Sequence, residues 1–560
     1  MTSDHFAAAE LARLSAAKGV RHAVISPGSR NAPLVMAFLR QPEISCLRII
    51  DERSAAFFAL GLAQQLHAPV ALICTSGSAV LNYGPAIAEA FYQRVPLLVI
   101  TADRPEEWVD QGEGQAIRQS GVLALHMKRS VQLPRAPQDE LARWHCGRLI
   151  NEAIDSTLLP VPGPVHVNVP FAEPLYGTTE THPHSRTIAP VMTEPFILPD
   201  HARWLIEQTS TSRKVMVLAG QGQWSTGLLS TLKHLAALPQ VSVHTEATSN
   251  LDDPAFITCI DRAIEGVNEA NTTNLRPDLL ITFGGAVVSK RIKGILRHWK
   301  PDQHWNVDAG QRYHDTYQSL THDIAVSPEV FFAQLVNGVR AGESMYGEAW
   351  RMVDQRMRAA HEHIMHATPF CDLSVFRALL EHLPTNSDVQ LANSTPARYA
   401  QLFDRRAGIR WSSNRGTSGI DGCTSTALGA ALATGRTTTL ITGDIAFCYD
   451  SNAFWNDHLT GHLKVVVIDN GGGNIFRYIE GPDKHAELLP WFEAPHRRDI
   501  EALARGYGLP YFRATDHDTL TRALEQLYGA HERPAVLHII TDALTSPRVL
   551  RDYFKQLREA

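Results

Sequence analysis

The sequence is poor in cysteine and contains no paired cysteines. Only seven are found among 560 residues, they are scattered along the chain, and none forms a CxxC motif. Disulfide frameworks and cysteine-based zinc sites both require paired or clustered cysteines. The pattern therefore excludes both and indicates reduced thiols in a cytoplasmic protein.

Long apolar runs and an excess of positive charge are also missing. No apolar stretch approaches the ~18 residues of a membrane-spanning helix, and Asp4 and Glu10 lie where a signal peptide would be apolar. The formal net charge of −6 disfavours nucleic acid or an anionic membrane as the main partner. We therefore expect a cytoplasmic protein that binds no nucleic acid, has no integral membrane segment, and binds anions only at local clusters of arginine and lysine.

The sequence does contain a repeated alternation of short β-branched runs with helical stretches. The runs end in Gly, Ser or Asp, which is typical of parallel strands that are covered by helices on both faces. They fall into three sets of similar size, so we expect an α/β protein with three doubly wound parallel-sheet domains. The runs cover residues 22–29, 46–52, 69–78, 96–105, 163–170, 214–222, 241–249, 278–289, 304–310, 388–394, 409–416, 437–447, 463–473 and 535–542.

Two stretches separate these sets. A polar, proline-containing stretch over 176–190 indicates a linker, and a charged stretch with few strand formers over 347–366 indicates a helix. The predicted parts are an N-terminal domain over 1–180, a central α/β domain over 190–340, a helical linker over 341–370 and a C-terminal domain over 371–560. In such domains ligands bind beyond the carboxyl ends of the strands.

Two strand ends of the third set carry oxygen ligands for a cation. Asp444 follows an apolar run, and 26 residues later the next run ends at Asn470, before the glycines 471–473. A crossover helix over 451–462 would bring both ends to one edge of the sheet. Magnesium prefers one or two carboxylates, other hard oxygens and phosphate oxygens. The glycines, and a helix beginning at Asn474, could approach a diphosphate closely.

Each half of this pattern also has an ordinary structural interpretation. The Gly-Asp pair could be a strand-end turn, and the glycine run could be a flexible loop. Their joint occurrence at this spacing in an α/β frame favours a cofactor site. Glu52 lies where a predicted strand meets a helix, and its ordinary interpretation is an acid stabilised by the helix dipole.

The pattern resembles the motif of thiamine-diphosphate-dependent enzymes, in which a Gly-Asp pair is followed, one crossover later, by two asparagines. Asp469 stands where the first asparagine is usual, and its role is left open. Further motifs resemble one family of these enzymes, the 2-succinyl-5-enolpyruvyl-6-hydroxy-3-cyclohexene-1-carboxylate synthases of menaquinone biosynthesis, over about residues 5–545. These motifs are SPGSR (26–30), DER (51–53), TSGSA (75–79), TADRP (101–105), QAIRQ (115–119), FAEPLYG (171–177), SKR (289–291) and NRGTSGIDG (414–422).

The resemblance implies a transferase that decarboxylates 2-oxoglutarate and adds the resulting succinyl semialdehyde carbanion to isochorismate in a 1,4 sense. Thiamine diphosphate and Mg²⁺ or Mn²⁺ are the implied cofactors. The N-terminal domain would bind the pyrimidine ring and the C-terminal domain the diphosphate. A homodimer or homotetramer with active sites between subunits is implied as well.

The resemblance also assigns roles to individual residues. Glu52 and Gln115 would be catalytic, and Glu52 would hydrogen-bond the pyrimidine ring of the cofactor. Ser29, Arg30, Arg104, Lys290 and Arg291 would bind isochorismate, Ser394, Arg398 and Arg415 would bind 2-oxoglutarate, and Phe476 and Ile479 would line the apolar part of the pocket. The other implied cofactor-binding residues are Ile420, Gly443, Asp444, Ile445, Asn470, Gly472, Gly473, Asn474 and Ile475, of which Asp444, Asn470 and the Gly472 carbonyl would bind the metal.

Two alternatives stay open at this point. One is a different thiamine-diphosphate enzyme, either a 2-oxoacid decarboxylase or an acetolactate-synthase-like carboligase, which should lack the set Arg30, Arg398 and Arg415. The other is a cofactor-binding regulator without activity. The presence of Glu52, Asp444 and Asn470 argues against it.

Overall fold

The computed structural model describes residues 1–560 except 182, 311–312, 479–484 and 486. Within the described residues the strands form three parallel sheets of six, five and six strands. One short antiparallel pair joins β1 (Thr2–Ser3) to β8 (Thr178–Thr179). The expected α/β class with doubly wound parallel sheets is confirmed.

The first sheet has the strand order β3-β2-β4-β5-β7-β6. Its strands are β2 (His22–Ile25), β3 (Ser45–Arg48), β4 (Val70–Cys74), β5 (Leu97–Asp103), β6 (Arg129–Gln132) and β7 (Val165–Pro170). The helices around it are α1 (Phe6–Ala17), α2 (Ala32–Phe38), α3 (Glu52–Leu66), α4 (Ser78–Asn82), α5 (Gly84–Gln93) and α6 (Glu140–Ser156).

The second sheet has the order β10-β9-β11-β12-β13. Its strands are β9 (Val215–Ala219), β10 (Val241–His244), β11 (Leu279–Phe283), β12 (Gln303–Val307) and β13 (His322–Ile324). Its helices are α7 (Pro199–Thr211), α8 (Thr226–Ala236), α9 (Ile260–Ala263), α10 (Thr272–Leu275), α11 (Lys290–Trp299) and α12 (Pro328–Val336). The long helix α13 (Tyr346–His366) then leads to the third sheet and matches the helix predicted over 347–366.

The third sheet has the order β15-β14-β16-β17-β19-β18. Its strands are β14 (Asp388–Leu391), β15 (Arg410–Ser413), β16 (Thr438–Gly443), β17 (Leu463–Asp469), β18 (Tyr511–Ala514) and β19 (Ala535–Ile540). Its helices are α14 (Asp372–His382), α15 (Thr395–Tyr399), α16 (Cys423–Thr434), α17 (Asp444–Tyr449), α18 (Leu489–Glu493), α19 (Ile500–Gly506), α20 (His517–Leu527) and α21 (Thr545–Glu559). The strands of each large sheet fall inside one predicted domain, while the domain boundaries themselves stay predictions.

The first and third domains pack through α3 and α16. These helices approach so closely that a Cβ atom on Gly61 would overlap the carbonyl oxygen of Thr426, and one on Gly429 would overlap that of Phe58. Only glycine permits such an approach. The contact therefore determines how the two domains meet.

Every predicted run overlaps a strand. Apart from the short pair β1 and β8, three strands of the large sheets were not anticipated. They are β6, β13 and β18, which lie at sheet edges and are only partly buried. These three edge strands are exposed along part of their length and so lack the continuous apolar run of a central parallel strand. Their sequences therefore gave no strand signal.

The crossover helix predicted over 451–462 is wrong. Helix α17 begins at Asp444 itself, and only a 3-10 turn follows it, over Ser451–Phe454. Beyond that turn the Asn456 side chain donates to the Ala453 carbonyl (2.7 Å) and accepts from the His458 N–H (2.7 Å). An asparagine that bonds nearby backbone groups competes with helix formation.

The predictions about cysteine pairing and membrane-spanning helices can be compared with the structure. All seven cysteines are free thiols. In the part of the chain that the structure describes, no helix has both the length and the apolar character needed to cross a bilayer.

Candidate functional site

The candidate cofactor site lies at the carboxyl edge of the third sheet. β16 and β17 are paired in register, with Gly443 opposite Ile468. Both strands are buried almost up to this pair, and the residue that follows each member of the pair, Asp444 or Asp469, is acidic. The pairing therefore brings two carboxyl groups side by side.

Asp444 is buried and has one unpaired oxygen. Its Oδ1 accepts a hydrogen bond from the Ile445 N–H (2.8 Å), whereas Oδ2 has no hydrogen-bond partner among the described residues. The His496 ring lies nearby, with Nε2 3.3 Å from Oδ2, but it makes no hydrogen bond with it. Burial, and then the charge of Asp469, raise the pKa of Asp444 to about 8. A cation would offset both effects.

Asp469 departs from the two-asparagine motif, and the structure shows what holds it. Its Oδ1 accepts from the Gly471 N–H (2.9 Å), and its Oδ2 contacts Nε2 of His538 (2.9 Å). The other ring nitrogen of His538 contacts the Tyr511 hydroxyl (2.8 Å). Burial raises the pKa of Asp469, but hydrogen bonding, first of all with His538, lowers it overall. Asp469 thus anchors the glycine turn to β19.

Asn470 is oriented by a buried carboxylate. Its Nδ2 donates to Oδ2 of Asp372 (2.9 Å), and Asp372 also accepts from the hydroxyls of Thr541 (2.6 Å) and Ser546 (3.0 Å). Because the amide nitrogen is held on this side, the amide oxygen of Asn470 faces the opposite way. That orientation suits a metal ligand.

The glycine turn needs glycine at two positions. Gly471 has φ 79° and Gly472 has φ 148°, and a Cβ on Gly472 would lie 2.5 Å from the Glu493 carbonyl oxygen. The Gly473 N–H donates to that same carbonyl (2.6 Å). The helix expected to begin at Asn474 is a single 3-10 turn, Asn474–Arg477.

These residues fit a divalent cation and a diphosphate. The candidate ligands, Asp444, Asn470 and the Gly472 carbonyl, are all hard oxygen donors, as Mg²⁺ and Mn²⁺ prefer. Two buried oxygens near the turn, Oδ2 of Asp444 and Oδ1 of Asn474, lack hydrogen-bond partners among the described residues. The glycine backbone leaves space where side chains would otherwise stand.

Two arginines of the predicted donor site follow the neighbouring strands β14 and β15. Arg398 lies in the last turn of α15, behind Ser394, which has the unusual φ of 75°. Arg415 donates from Nη1 to Oδ1 of Asn393 (2.9 Å), and its buried Nε has no hydrogen-bond partner among the described residues. Burial, and then the charge of Arg415, lower the pKa of Arg398. The two guanidinium groups therefore lie within electrostatic range of each other.

The loop that carries Arg415 is fixed by the first domain. Glu89 on α5 is buried, and its two oxygens accept from the N–H groups of Gly416 (2.6 Å) and Thr417 (2.7 Å). A carboxylate that accepts backbone hydrogen bonds makes strong, charge-assisted contacts. The position of Arg415 thus depends on a residue far away in the sequence.

A cavity of about 840 Å³ joins part of the predicted substrate set. Lys290 and Arg291 line it from α11, Arg398 from α15 and Ile475 from the 3-10 turn. Arg415 instead lines a second cavity of about 430 Å³ beyond the second sheet, together with Lys293. The structure therefore brings four of the predicted residues into one cavity and places Arg415 in another.

The first domain holds a second pair of arginines. Arg30 is buried, donates from Nη1 to the Phe171 carbonyl (3.0 Å) and pairs with Glu173 (3.0 Å). Arg104 pairs with Glu113 (3.1 Å). Burial, and then the charge of Arg104, lower the pKa of Arg30, so these two side chains also lie close together.

The other predicted residues of the first domain lie at the same strand ends. Ser29 and Gln115 are exposed, and Gln115 has φ 57°. Glu52 begins α3, and after burial its charge contributes to the raised pKa values of Cys74 and Tyr83 in its own domain. Among the described residues, no hydrogen bond or ion pair joins Glu52 to the third-domain site.

The remaining predicted residues have less specific surroundings. Ile420, Gly443, Ile445 and Gly473 are half-buried around the third-domain site. The Phe476 ring contacts the Phe492 ring, with centroids 5.3 Å apart. Ile479 lies outside the described residues.

The sequence did not reveal the residues that hold the site in place. They are Glu89, Asp372, Asn393 and His538. His538 lies inside an apolar strand and Glu89 lies inside a helix. A polar residue that is buried among apolar ones requires a hydrogen-bond partner. Its presence in the sequence therefore indicates that a partner exists. The partner itself could not be named from the sequence.

Two segments of the chain match models of known protein families. Residues 6–122 match the N-terminal TPP binding domain of thiamine pyrophosphate enzymes, and residues 394–539 match the C-terminal TPP binding domain. A crystal structure of benzoylformate decarboxylase from Polynucleobacter necessarius superposes with a TM-score of 0.73 over 97% of this chain and 99% of that chain. At 15% identity this likeness shows the fold alone.

Full-length relatives are named 2-succinyl-5-enolpyruvyl-6-hydroxy-3-cyclohexene-1-carboxylate synthase. The protein of Flavobacterium johnsoniae is 40% identical over 98% of both chains, and that of Flavobacterium psychrophilum is 43% identical over 96% of both. The protein of Porphyromonas gingivalis is 39% identical over 96% of this chain and 94% of its own. The resemblance seen in the motifs is confirmed, and with it thiamine diphosphate as the cofactor. The chain belongs to the family of 2-succinyl-5-enolpyruvyl-6-hydroxy-3-cyclohexene-1-carboxylate synthases, which are thiamine-diphosphate-dependent enzymes.

Proposed function

We propose that this chain decarboxylates 2-oxoglutarate and adds the remaining four-carbon unit to isochorismate in a 1,4-addition. The products are carbon dioxide and 2-succinyl-5-enolpyruvyl-6-hydroxy-3-cyclohexene-1-carboxylate. The observation that carries the proposal is the group of basic side chains, Lys290, Arg291 and Arg398, that lines one cavity of about 840 Å³.

Several basic side chains around one cavity favour an anionic ligand. Each of the two substrates carries two carboxylates, and arginine binds a carboxylate through parallel hydrogen bonds without losing its charge. In a chain of net charge −6 such basic side chains around one cavity are local exceptions. They match substrates of this charge better than the neutral side chain of an aromatic or small aliphatic oxoacid.

The residues divide into a donor site and an acceptor site. Ser394, Arg398 and Arg415 would hold 2-oxoglutarate, and Ser29, Arg30, Arg104, Lys290 and Arg291 would hold isochorismate. Gln115 would hydrogen-bond the acceptor. Phe476 and Ile479 would exclude water from the apolar part of the pocket.

The chain would hold its cofactor through the glycine turn and a divalent metal. Asp444, Asn470 and the Gly472 carbonyl would bind Mg²⁺ or Mn²⁺ and, with it, the diphosphate. Thiamine diphosphate, when bound, supplies the electron sink for decarboxylation. Glu52 would hold a proton at the pyrimidine ring nitrogen.

We also propose that a second copy of the chain completes the site. Glu52 and the metal ligands lie on different domains, and no described hydrogen bond or ion pair joins them. Ile50, Tyr449 and Trp455, near the start of α3, are 43%, 52% and 50% exposed. A cluster of exposed apolar side chains is typical of an interface.

Light scattering would distinguish a dimer or tetramer from a monomer, and a monomer with full activity would contradict this arrangement.

The reaction can be tested directly. Purified protein with thiamine diphosphate and Mg²⁺ should release carbon dioxide from 2-oxoglutarate when ferricyanide is the artificial oxidant. With isochorismate in place of ferricyanide it should form the cyclohexene product, which mass spectrometry would identify. Equal activity with pyruvate or benzoylformate would favour the alternative thiamine enzymes.

Alanine at Arg398 or at Arg415 should weaken the use of 2-oxoglutarate. Each change removes a charged hydrogen bond worth about 1.5–3 kcal/mol, which corresponds to about a ten- to hundredfold rise in KM or fall in kcat/KM. Steady-state kinetics with ferricyanide measures this without isochorismate. Arg522→Ala, an exposed position on α20, is the matched control, and equal effects there would refute the donor assignment.

Arg30→Ala should separate the two half-reactions. Carbon dioxide release with ferricyanide should persist, because the donor site is intact, while product formation with isochorismate should fail. Because Arg30 also bonds the Phe171 carbonyl and Glu173, Arg30→Lys and a melting curve serve as controls for folding. Loss of the ferricyanide reaction in a folded Arg30→Ala protein would show that the two anion sites are exchanged or shared.

A further inference from the structure

The C-terminal helix α21 forms part of the wall of the 840 Å³ cavity. Phe554 and Arg558 lie one turn apart on this helix and line the cavity beside Lys290, Arg291 and Arg398. The helix is attached to the rest of the protein by an adjacent face. Tyr553 and Leu557 are fully buried, and the Tyr553 hydroxyl contacts Nδ1 of His361 on α13 (2.8 Å). The backbone that carries Phe554 and Arg558 is therefore well determined.

Arg291 is held by α21 from two sides. Its guanidinium carbon lies 3.8 Å from the centroid of the Phe554 ring, which is within the range of a cation–π contact. Its Nη1 pairs with Oε1 of Glu265, and Oε2 of the same carboxylate pairs with Nη1 of Arg558 (2.6 Å). The Glu265 side chain is nearly fully buried, at 5% exposed, whereas those of Arg291 and Arg558 are 38% and 54% exposed.

The backbone that carries Arg291 is fixed as well. Ser289 caps α11 by accepting from the Ile292 N–H (3.1 Å), and its own N–H donates to the buried carboxylate of Glu246 (2.7 Å). The side chain and the main chain of Arg291 are thus both constrained. A constrained guanidinium loses less entropy when it binds a ligand.

The charges leave Arg291 able to bind an anion. Two guanidinium groups share one carboxylate, so the three side chains keep a net positive charge. A guanidinium has five N–H donors, and Glu265 uses the Nη1 of Arg291, which leaves donors for a substrate carboxylate at the cavity.

We infer that α21 is a positioning element, in which Phe554 and Arg558 hold Arg291 ready for a carboxylate of the acceptor substrate. This inference rests on the proposed function, which assigns Arg291 to the isochorismate site. It adds a part of the chain, beyond residue 545, to the determinants of substrate binding.

The test compares an aromatic with an aliphatic residue at position 554. Phe554→Leu keeps an apolar side chain of similar size but removes the ring, and it should raise the KM for isochorismate about two- to thirtyfold. Phe554→Tyr keeps the ring, and its KM for isochorismate should stay within about twofold of the wild-type value.

Arg558→Gln should raise the KM for isochorismate as well, because Glu265 then neutralises Arg291. Arg548→Gln, at an exposed position on the same helix, should not raise it. Carbon dioxide release from 2-oxoglutarate with ferricyanide should be unchanged in all four proteins.

Four outcomes would overturn the inference. Equal KM values in Phe554→Leu and the wild type would show that the ring does not act on Arg291. A rise of the same size in Phe554→Tyr, or a parallel loss of the ferricyanide reaction, would indicate general damage to the cavity. A wild type that decarboxylates 2-oxoglutarate but makes no product from isochorismate would refute the proposed acceptor, and the inference with it.

Discussion

Glu52→Gln is expected to lose activity by about 10²–10⁴-fold, the usual contribution of a general acid–base group, while still binding thiamine diphosphate. Glutamine has nearly the same shape but cannot hold the proton at the pyrimidine nitrogen in the same way. The effect should appear before any substrate binds. Proton–deuterium exchange at C2 of the bound cofactor, followed by NMR, should slow to a comparable degree.

The control for Glu52→Gln is Glu43→Gln, which makes the same change at an exposed position of the same domain. Cofactor affinity, measured by calorimetry, should be similar in the wild type and both variants. Exchange at the wild-type rate in Glu52→Gln would remove Glu52 from the catalytic role. Loss of cofactor binding would instead make it a binding residue.

Asp444→Asn should abolish the stabilisation of the protein by cofactor and magnesium. A ligand at a hundred times its Kd stabilises the folded state by about 2.7 kcal/mol, and thermal melting would detect this in the wild type. The variant without ligands should melt no lower than the wild type, because it replaces a buried, partly unpaired carboxyl group by a neutral amide. The melting temperature should fall relative to the wild type only when the ligands are present, which separates metal binding from folding.

Asp518→Asn on the exposed face of α20 is the control for this change. It should keep the full shift on addition of cofactor and magnesium. If Asp444→Asn kept the same metal-dependent shift, the metal site would have to lie elsewhere. A variant that melted much lower without ligands would show that Asp444 has a structural role.

The candidate cofactor site could be predicted because its main residues belong to adjacent strands. A parallel sheet aligns the carboxyl ends of its strands, so Asp444 and Asn470 needed only the recognition of two apolar runs. The residues that orient them come from much farther along the chain. His538 is 69 residues from Asp469, Asp372 is 98 residues from Asn470, and Glu89 is 327 residues from Gly416. No local pattern encodes such pairs.

The absence of a local sequence pattern also explains the errors in the predicted fold. Central strands such as β16 are recognisable because burial on both faces demands continuous apolar sequence. The edge strands β6, β13 and β18 meet solvent and carry polar residues. The interval 451–462 has a helix-like length, but hydrogen bonds of the Asn456 side chain divert its backbone. Length alone is a weak guide where a side chain can satisfy the backbone.

The crossing of α3 and α16 at Gly61 and Gly429 has an evolutionary consequence. Insertion of even a methyl group at either position would drive a side chain into a carbonyl oxygen of the other helix. Substitution at one of them cannot be compensated by a smaller residue at the other, because both are already glycine. We expect these two positions to remain glycine in related proteins while the residues on the surrounding surfaces change. The first and third domains should therefore have been inherited together, and exchanging either one between distant relatives should succeed only where both glycines are retained.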